Sequence, residues 1–279
     1  MGMIDVTNGK EVLEEVLVYD RVRAVYARDR ACVTGGWVFR EGQVEVQACP
    51  FVDRLNGLLS PMWPEEEVPA LWRRALSLYR ETGQGMFISF GPLSSQKPLQ
   101  KWIEESGGER AGSHFSMYLE LENLREFAPL PELRIERIDD FSFFEKQKHP
   151  WLGATGAPFR DLKLHFLREA GEAYPPRLWQ FVALYRRQLA GWATVYIQGD
   201  KIAFFDVVVA EPFRRIGIGT QLMVEACKRA GDSGIRAAGL ATDSEAGIEL
   251  YRKIGFVSAG IYQDFFIDAE DLEKKPLLS

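Results

Sequence analysis

The most specific chemistry in the chain lies in Arg214-Arg215-Ile216-Gly217-Ile218-Gly219-Thr220. The turn stands between an apolar run, Ile202 to Val209, and the helical spacing of Leu222, Met223, Ala226 and Cys227. A strand, a glycine turn and a helix in that order leave the first N–H groups of the helix unpartnered at the positive end of its dipole. Glycine at 217 and 219 removes the Cβ atoms that would hold a phosphate off the backbone, and Arg214 and Arg215 add charge at the rim. The implied chemistry is pyrophosphate binding. A dinucleotide fingerprint would need Gly or Ala where Leu222 stands, and a P-loop would need Gly-Lys-Ser/Thr, so neither rival motif fits.

Downstream runs Ser244-Glu-Ala-Gly-Ile-Glu-Leu250-Tyr251-Arg-Lys-Ile-Gly255-Phe256. The first turn is similar to the Arg/Gln-x-x-Gly-x-Gly/Ala signature of the GCN5-related N-acetyltransferase (GNAT) superfamily. The second stretch resembles that family's Asn-x-x-Ala-x-x-Leu-Tyr-x-x-x-Gly-Phe, in the expected order and at the expected distance. Ser244 replaces the usual Asn and Gly247 the usual Ala.

The resemblance implies acetyl-CoA as cofactor and an N-acetyltransferase that moves the acetyl group to an amine by direct attack in a ternary complex. It assigns Arg214, Arg215, Ile216, Gly217, Ile218, Gly219 and Thr220 to the pyrophosphate. Val207, Val208 and Val209 fall to the pantetheine arm, where the family splays two strands, and Ser244 to an amide of that arm. Tyr251 would protonate the leaving thiolate, although a half-buried aromatic on a helix is the plain alternative. His149 and Trp151 fall in the segment that lines the acceptor pocket in this family and are the expected substrate-binding residues. The acceptor expected is a small-molecule amine. A non-catalytic acyl-CoA-binding or regulatory module is the competing function.

Asp206 is the candidate base. Strand alternation decides its face, and a carboxylate between Phe205 and Val207 is equally able to cap a turn or meet solvent, with a water relay replacing it. His165 and His149 each lack an orienting partner that sequence can name.

The composition suits such an enzyme. A hydrophobic content of 46% with 27% charged residues is that of a globular chain, and a net charge of −6 argues against nucleic acid or an anionic membrane as the main partner. Cys32, Cys49 and Cys227 show neither disulfide nor metal-ligand spacing, which points to a reducing cytoplasm and no metal. No apolar run is long enough to span a bilayer. A monomer or homodimer is expected.

The elements that must position these residues follow from periodicity. The expected fold is α/β (α+β), a mixed, mostly antiparallel GNAT sheet flanked by helices, in two tandem GNAT-like domains. Residues 1–127 form a degenerate N-terminal domain, 128–132 a linker carrying two prolines, and 133–279 the acetyl-CoA-binding domain; no Arg-x-x-Gly-x-Gly turn occurs before residue 130. Residues 11–29 read equally as helix or strand. Strands are expected at 31–39 and 43–49, joined through Gly42, and at 85–90 and 113–121, with helices at 64–80 and 99–105. In the second half strands are expected at 133–138, 178–185, 189–198, 201–209, 236–242 and 257–267. Helices are expected at 139–147, 160–173, after Gly219 and at 244–254, and 268–279 is expected to fray.

Overall fold

The protein is described from a computed structural model covering residues 11–49, 56–92, 94, 96–139, 143, 165–169 and 177–274. The described helices are α1 (Glu11–Val33), α2 (Val68–Arg80), α3 (Gln96–Glu105), α4 (Ile218–Asp232), α5 (Glu245–Ile254) and α6 (Ala269–Lys274). The strands are β1 (Trp37–Glu41), β2 (Val44–Ala48), β3 (Gly57–Leu59), β4 (Met86–Phe90), β5 (Glu109–Glu120) and β6 (Leu133–Ile138). They continue with β7 (Leu178–Tyr185), β8 (Gln188–Gln198), β9 (Lys201–Val209), β10 (Ala237–Thr242) and β11 (Val257–Ile267). The architecture is α/β, with mostly antiparallel sheet flanked by helices. No described helix is long and apolar enough to cross a membrane.

The chain forms two compact units that interleave in sequence: Met1–Val25 with Phe115–Gly260, and Tyr26–His114 with Ile261–Ser279. This division differs from a single boundary at 128–132. Leu124, Phe127 and Leu130 pack on the core of the first unit, and Gln221 Nε2 donates to Ala128 O at 2.7 Å. Apolar side chains thus hold the proline segment down. In the second unit, β11 pairs antiparallel with β4 from Gln263↔Phe90 to Ile267↔Met86, so the end of the chain completes a sheet begun near residue 37.

In the first unit the strand order is β5–β10–β9–β8–β7–β6. β6 to β9 form an antiparallel meander, while β9 and β10 run parallel from Lys201↔Ala237 to Phe204↔Leu240. α4 covers one face, burying Leu222, Met223, Ala226 and Cys227 against Phe181, Ala193, Val195, Ile202 and Phe204. The i, i+1, i+4, i+5 spacing of its four residues makes that apolar stripe. The opposite face receives α1: Val18 packs with Tyr118, Ala237 and Ala259. Gly239 makes this approach possible, since a Cβ there would stand 2.8 Å from Tyr19 N.

The second unit has the order β1–β2–β3–β4–β11 and its own core around Trp72, Tyr79, Phe90 and Phe265. Two expectations change. Residues 11–33 are one helix, so Ala31–Val33 closes α1 instead of opening a strand. Residues 269–274 form α6 and do not fray, because Leu272 is buried in the second core. The expected helices at 139–147 and 160–173 lie largely outside the described residues; 165–169 is helical, with Phe166 and Leu167 buried.

Candidate functional site

β9 is regular up to Phe205 and then takes in one extra residue. Trp192 faces Val208 and Thr194 faces Phe205, so Ala193 stands opposite both Asp206 and Val207. Asp206 absorbs this bulge with φ +53, a left-handed conformation uncommon for a residue with a Cβ. The physical reason lies in the pattern. Strict alternation from Ile202 and Phe204 would drive the Asp206 carboxylate into the apolar core under α4. The bulge resets the phase, so that Val207 and Val209 continue that core face while Val208 packs on the other side with Trp192.

The same bulge opens the sheet. Pairing of β9 with β10 ends at Phe204↔Leu240, while β10 continues to Thr242 along β5. Ala210 N donates to Ala190 O at 2.8 Å, which fixes the hydrogen-bonding phase of β9 against β8. By alternation Val208 bonds to β8, and the N–H groups of Val207 and Val209 turn away from it into the gap. Val209 O on that side accepts from Arg214 Nε at 3.0 Å, tying the end of the strand to the glycine turn.

The turn itself ends in a helix with an uncapped N-terminus. Gly217 is the N-cap of α4 with φ +96, and no side chain caps it; Arg215 is also left-handed, with φ +68. Gln221 N to Gly217 O, at 3.1 Å, is the first helical bond, so the N–H groups of Ile218, Gly219 and Thr220 have no intrahelical partner. Three backbone donors and a helix dipole therefore face one spot, with the exposed Arg214 and Arg215 beside it.

Gap and turn form one cleft of about 700 Å³, lined on one side by Val207, Val208, Val209 and Gly217 to Thr220 and on the other by Thr242, Ser244, Gly247, Leu250 and Tyr251. Its donor and apolar content suits a long, amide-bearing chain that ends in a diphosphate. Tyr251 is 8% exposed, packs its ring against Phe256 at 5.9 Å, and has its phenol pushed up to about 12 by burial. It therefore stays protonated through neutral pH and can only donate to a forming anion there.

The structure brings together Val207 to Val209, Arg214, Arg215, Gly217 to Thr220, Ser244 and Tyr251; Ile216 lies in the same turn, 43% exposed. Ser244 is the N-cap of α5, accepting from Gly247 N at 2.9 Å, a role the motif comparison did not suggest. Asp206 lies off the cleft, with Thr194 Oγ1 3.4 Å from its Oδ2. His149 and Trp151 lie outside the described residues. His165 is on the surface beside Arg168 and Glu169. Sequence reasoning missed Thr242, Leu250 and Lys253, which also line the cleft. The position of Leu250 and Lys253 beside Tyr251 in the second motif was the signal available for two of them.

Residues 133–256 match the model of the family described as Acetyltransferase (GNAT) family. Among solved structures, a GCN5-related N-acetyltransferase from Kribbella flavida is similar over 90% of this chain and 95% of that one, at TM-score 0.65 and 14% identity. A functionally unknown conserved protein from Staphylococcus epidermidis is similar over 84% and 95%, at TM-score 0.60 and 15% identity. A tandem GNAT protein from the clavulanic acid biosynthesis pathway is similar over 72% and 69%, at TM-score 0.52 and 15% identity. These identities speak for a shared fold. No curated protein matches the sequence. The likeness to the acetyltransferase (GNAT) family is thus carried by residues 133–256, and the acyl donor of that family is acetyl-CoA.

Proposed function

We propose that the protein transfers an acetyl group from acetyl-CoA to the amine of a small-molecule acceptor, by direct attack in a ternary complex. One observation carries this reading: the Asp206 bulge parts β9 from β10 and opens a donor-lined cleft that runs into the uncapped N-terminus of α4. Acetyl-CoA, when bound, supplies the acetyl group as a thioester. The backbone of Ile218 to Thr220, with Arg214 and Arg215, holds the diphosphate. The Val207 and Val209 N–H groups orient the pantetheine arm, and one of them polarises the thioester carbonyl.

As the N–C bond forms and the C–S bond breaks, Asp206 takes the proton the amine loses, directly or through water. Tyr251 gives its proton to the sulfur and regains one from solvent. His149 and Trp151 form part of the acceptor pocket in this reading. Residues 1–127, which carry no second glycine turn, contribute the degenerate GNAT-like part in this reading, and the likeness to a tandem GNAT protein supports it. Three unpaired cysteines fit a cytoplasmic location.

Calorimetric titration of acetyl-CoA into wild type and Thr220→Glu tests the cofactor site. Glu suits the first turn of a helix, so the fold is kept while its charge opposes the diphosphate. Binding by wild type and a loss of about tenfold or more in the variant, 1.4 kcal/mol per tenfold, is the expected result. Coenzyme A release with spermidine, an aminoglycoside and an amino-acid amide then tests transfer. Equal binding by both proteins would move the diphosphate elsewhere, and binding without release by any amine would favour a non-catalytic acyl-CoA module.

A further inference from the structure

Three polar side chains on adjacent strands form a line behind the bulge. Gln180 on β7 is directly opposite Thr194 on β8, and Thr194 is opposite Phe205, the residue before Asp206. Gln180 Nε2 donates to Thr194 Oγ1 at 2.8 Å, and Thr194 Oγ1 donates to Asp206 Oδ2 at 3.4 Å. Gln180 and Thr194 are 0% and 1% exposed, beside the buried Trp192 and Tyr196. Gln180 Oε1 has no hydrogen-bond partner among the described residues.

An amide and a hydroxyl buried in an apolar wall cost stability unless their bonds are made, and here one amide oxygen is left over. The pattern is explained by its direction. A carboxamide NH2 only donates, so Thr194 must accept from Gln180, and its single proton is left to point at Asp206. The line ends on the one β9 residue whose backbone is held left-handed, on the face away from α4, toward which Phe205 also projects to meet Tyr19 at 5.8 Å.

We propose that Thr194 and Gln180 are positioning residues for Asp206: Thr194 holds the carboxylate in the orientation that receives the acceptor's proton, and Gln180 sets which way the Thr194 proton points. This rests on Asp206 as the proton acceptor. Neither residue lines the acetyl-CoA cleft, so their effect falls on turnover and not on donor binding.

The test is a double-mutant cycle on kcat for coenzyme A release with the amine found above, joined to crystal structures. Thr194→Val is expected to lower kcat about tenfold, as loss of a hydrogen bond to a charged group does, with acetyl-CoA affinity unchanged. Thr194→Ser should restore the rate, and Gln180→Leu should lower it less than Thr194→Val. In an Asp206→Asn background, Thr194→Val should cost nothing further, whereas a general packing defect would cost the same in both backgrounds. In the crystal, Asp206 should turn in Thr194→Val and stay in Thr194→Ser. An unmoved Asp206 in Thr194→Val, or an independent effect in the cycle, overturns the positioning role alone. Asp206→Asn with wild-type turnover sinks the base assignment, and the positioning role with it.

Discussion

Ser244 Oγ accepts the Gly247 N–H at 2.9 Å, and a Cβ on Gly247 would stand 3.1 Å from that same oxygen and 2.6 Å from Thr242 Oγ1. The two departures from the family's second motif are therefore one local solution. A short Ser caps α5, and the residue three positions on must be small for the hydroxyls of Thr242 and Ser244 to sit where they do. The Ser244 oxygen is occupied as an acceptor, but its own proton remains to donate into the cleft.

Removal of that cap has a stated size. Ser244→Ala leaves an N–H at the start of α5 without a partner, which costs about 1 kcal/mol and lowers the melting temperature by about 2 to 4 °C. Differential scanning calorimetry of the two proteins checks this. A variant as stable as wild type would mean that another group caps α5 in solution.

Tyr251→Phe separates chemistry from binding. The ring keeps its contact with Phe256, so acetyl-CoA affinity should hold while kcat falls about a hundredfold. Steady-state kinetics and calorimetry together decide it; an unchanged kcat would leave Tyr251 as a packing residue.

The same phenol gives a pH prediction. Because burial raises its pKa in the folded chain, the unfolded chain ionises first as pH rises. The stability tied to protonated Tyr251 is complete below pH 10 and is lost between pH 10 and about 12, by roughly 2 to 3 kcal/mol. In denaturant melts across this window wild type should lose about 2 to 3 kcal/mol more stability than Tyr251→Phe as the pH climbs. Parallel curves would show that the hydroxyl is well solvated.

Thiol labelling reports on the core beneath the site. Cys32 is exposed, whereas Cys49 and Cys227 are buried, and burial pushes the Cys227 thiol up, away from the reactive thiolate. A disulfide reagent should titrate one thiol in the native protein and three after denaturation. Fast labelling of Cys227 would contradict the packing of α4 on β8 and β9.

What could be read without coordinates was whatever depends on neighbours in the chain. Gly217 and Gly219 before an amphipathic stretch specify a turn with spare donors wherever the strand and helix end up, and the meander from Leu178 to Val209 follows from two-residue periods and short turns. Those features are local, so their physics is complete within about a dozen residues. Other features were left to distant partners. Residues 11–33 were left open by their own pattern, and the α1 backbone lies close against β10 only because Gly239, over two hundred residues later, carries no Cβ. The face taken by Asp206 was open in the sequence, since one inserted residue reverses every side chain after it. Only the register of β9 against β8, set by the cost of burying a carboxylate under α4, decided that Val207 and Val209 meet the core while Asp206 meets Thr194. Likewise the interleaving of the two units depends on β11 finding β4, a pairing between residues about 175 apart that no local pattern encodes.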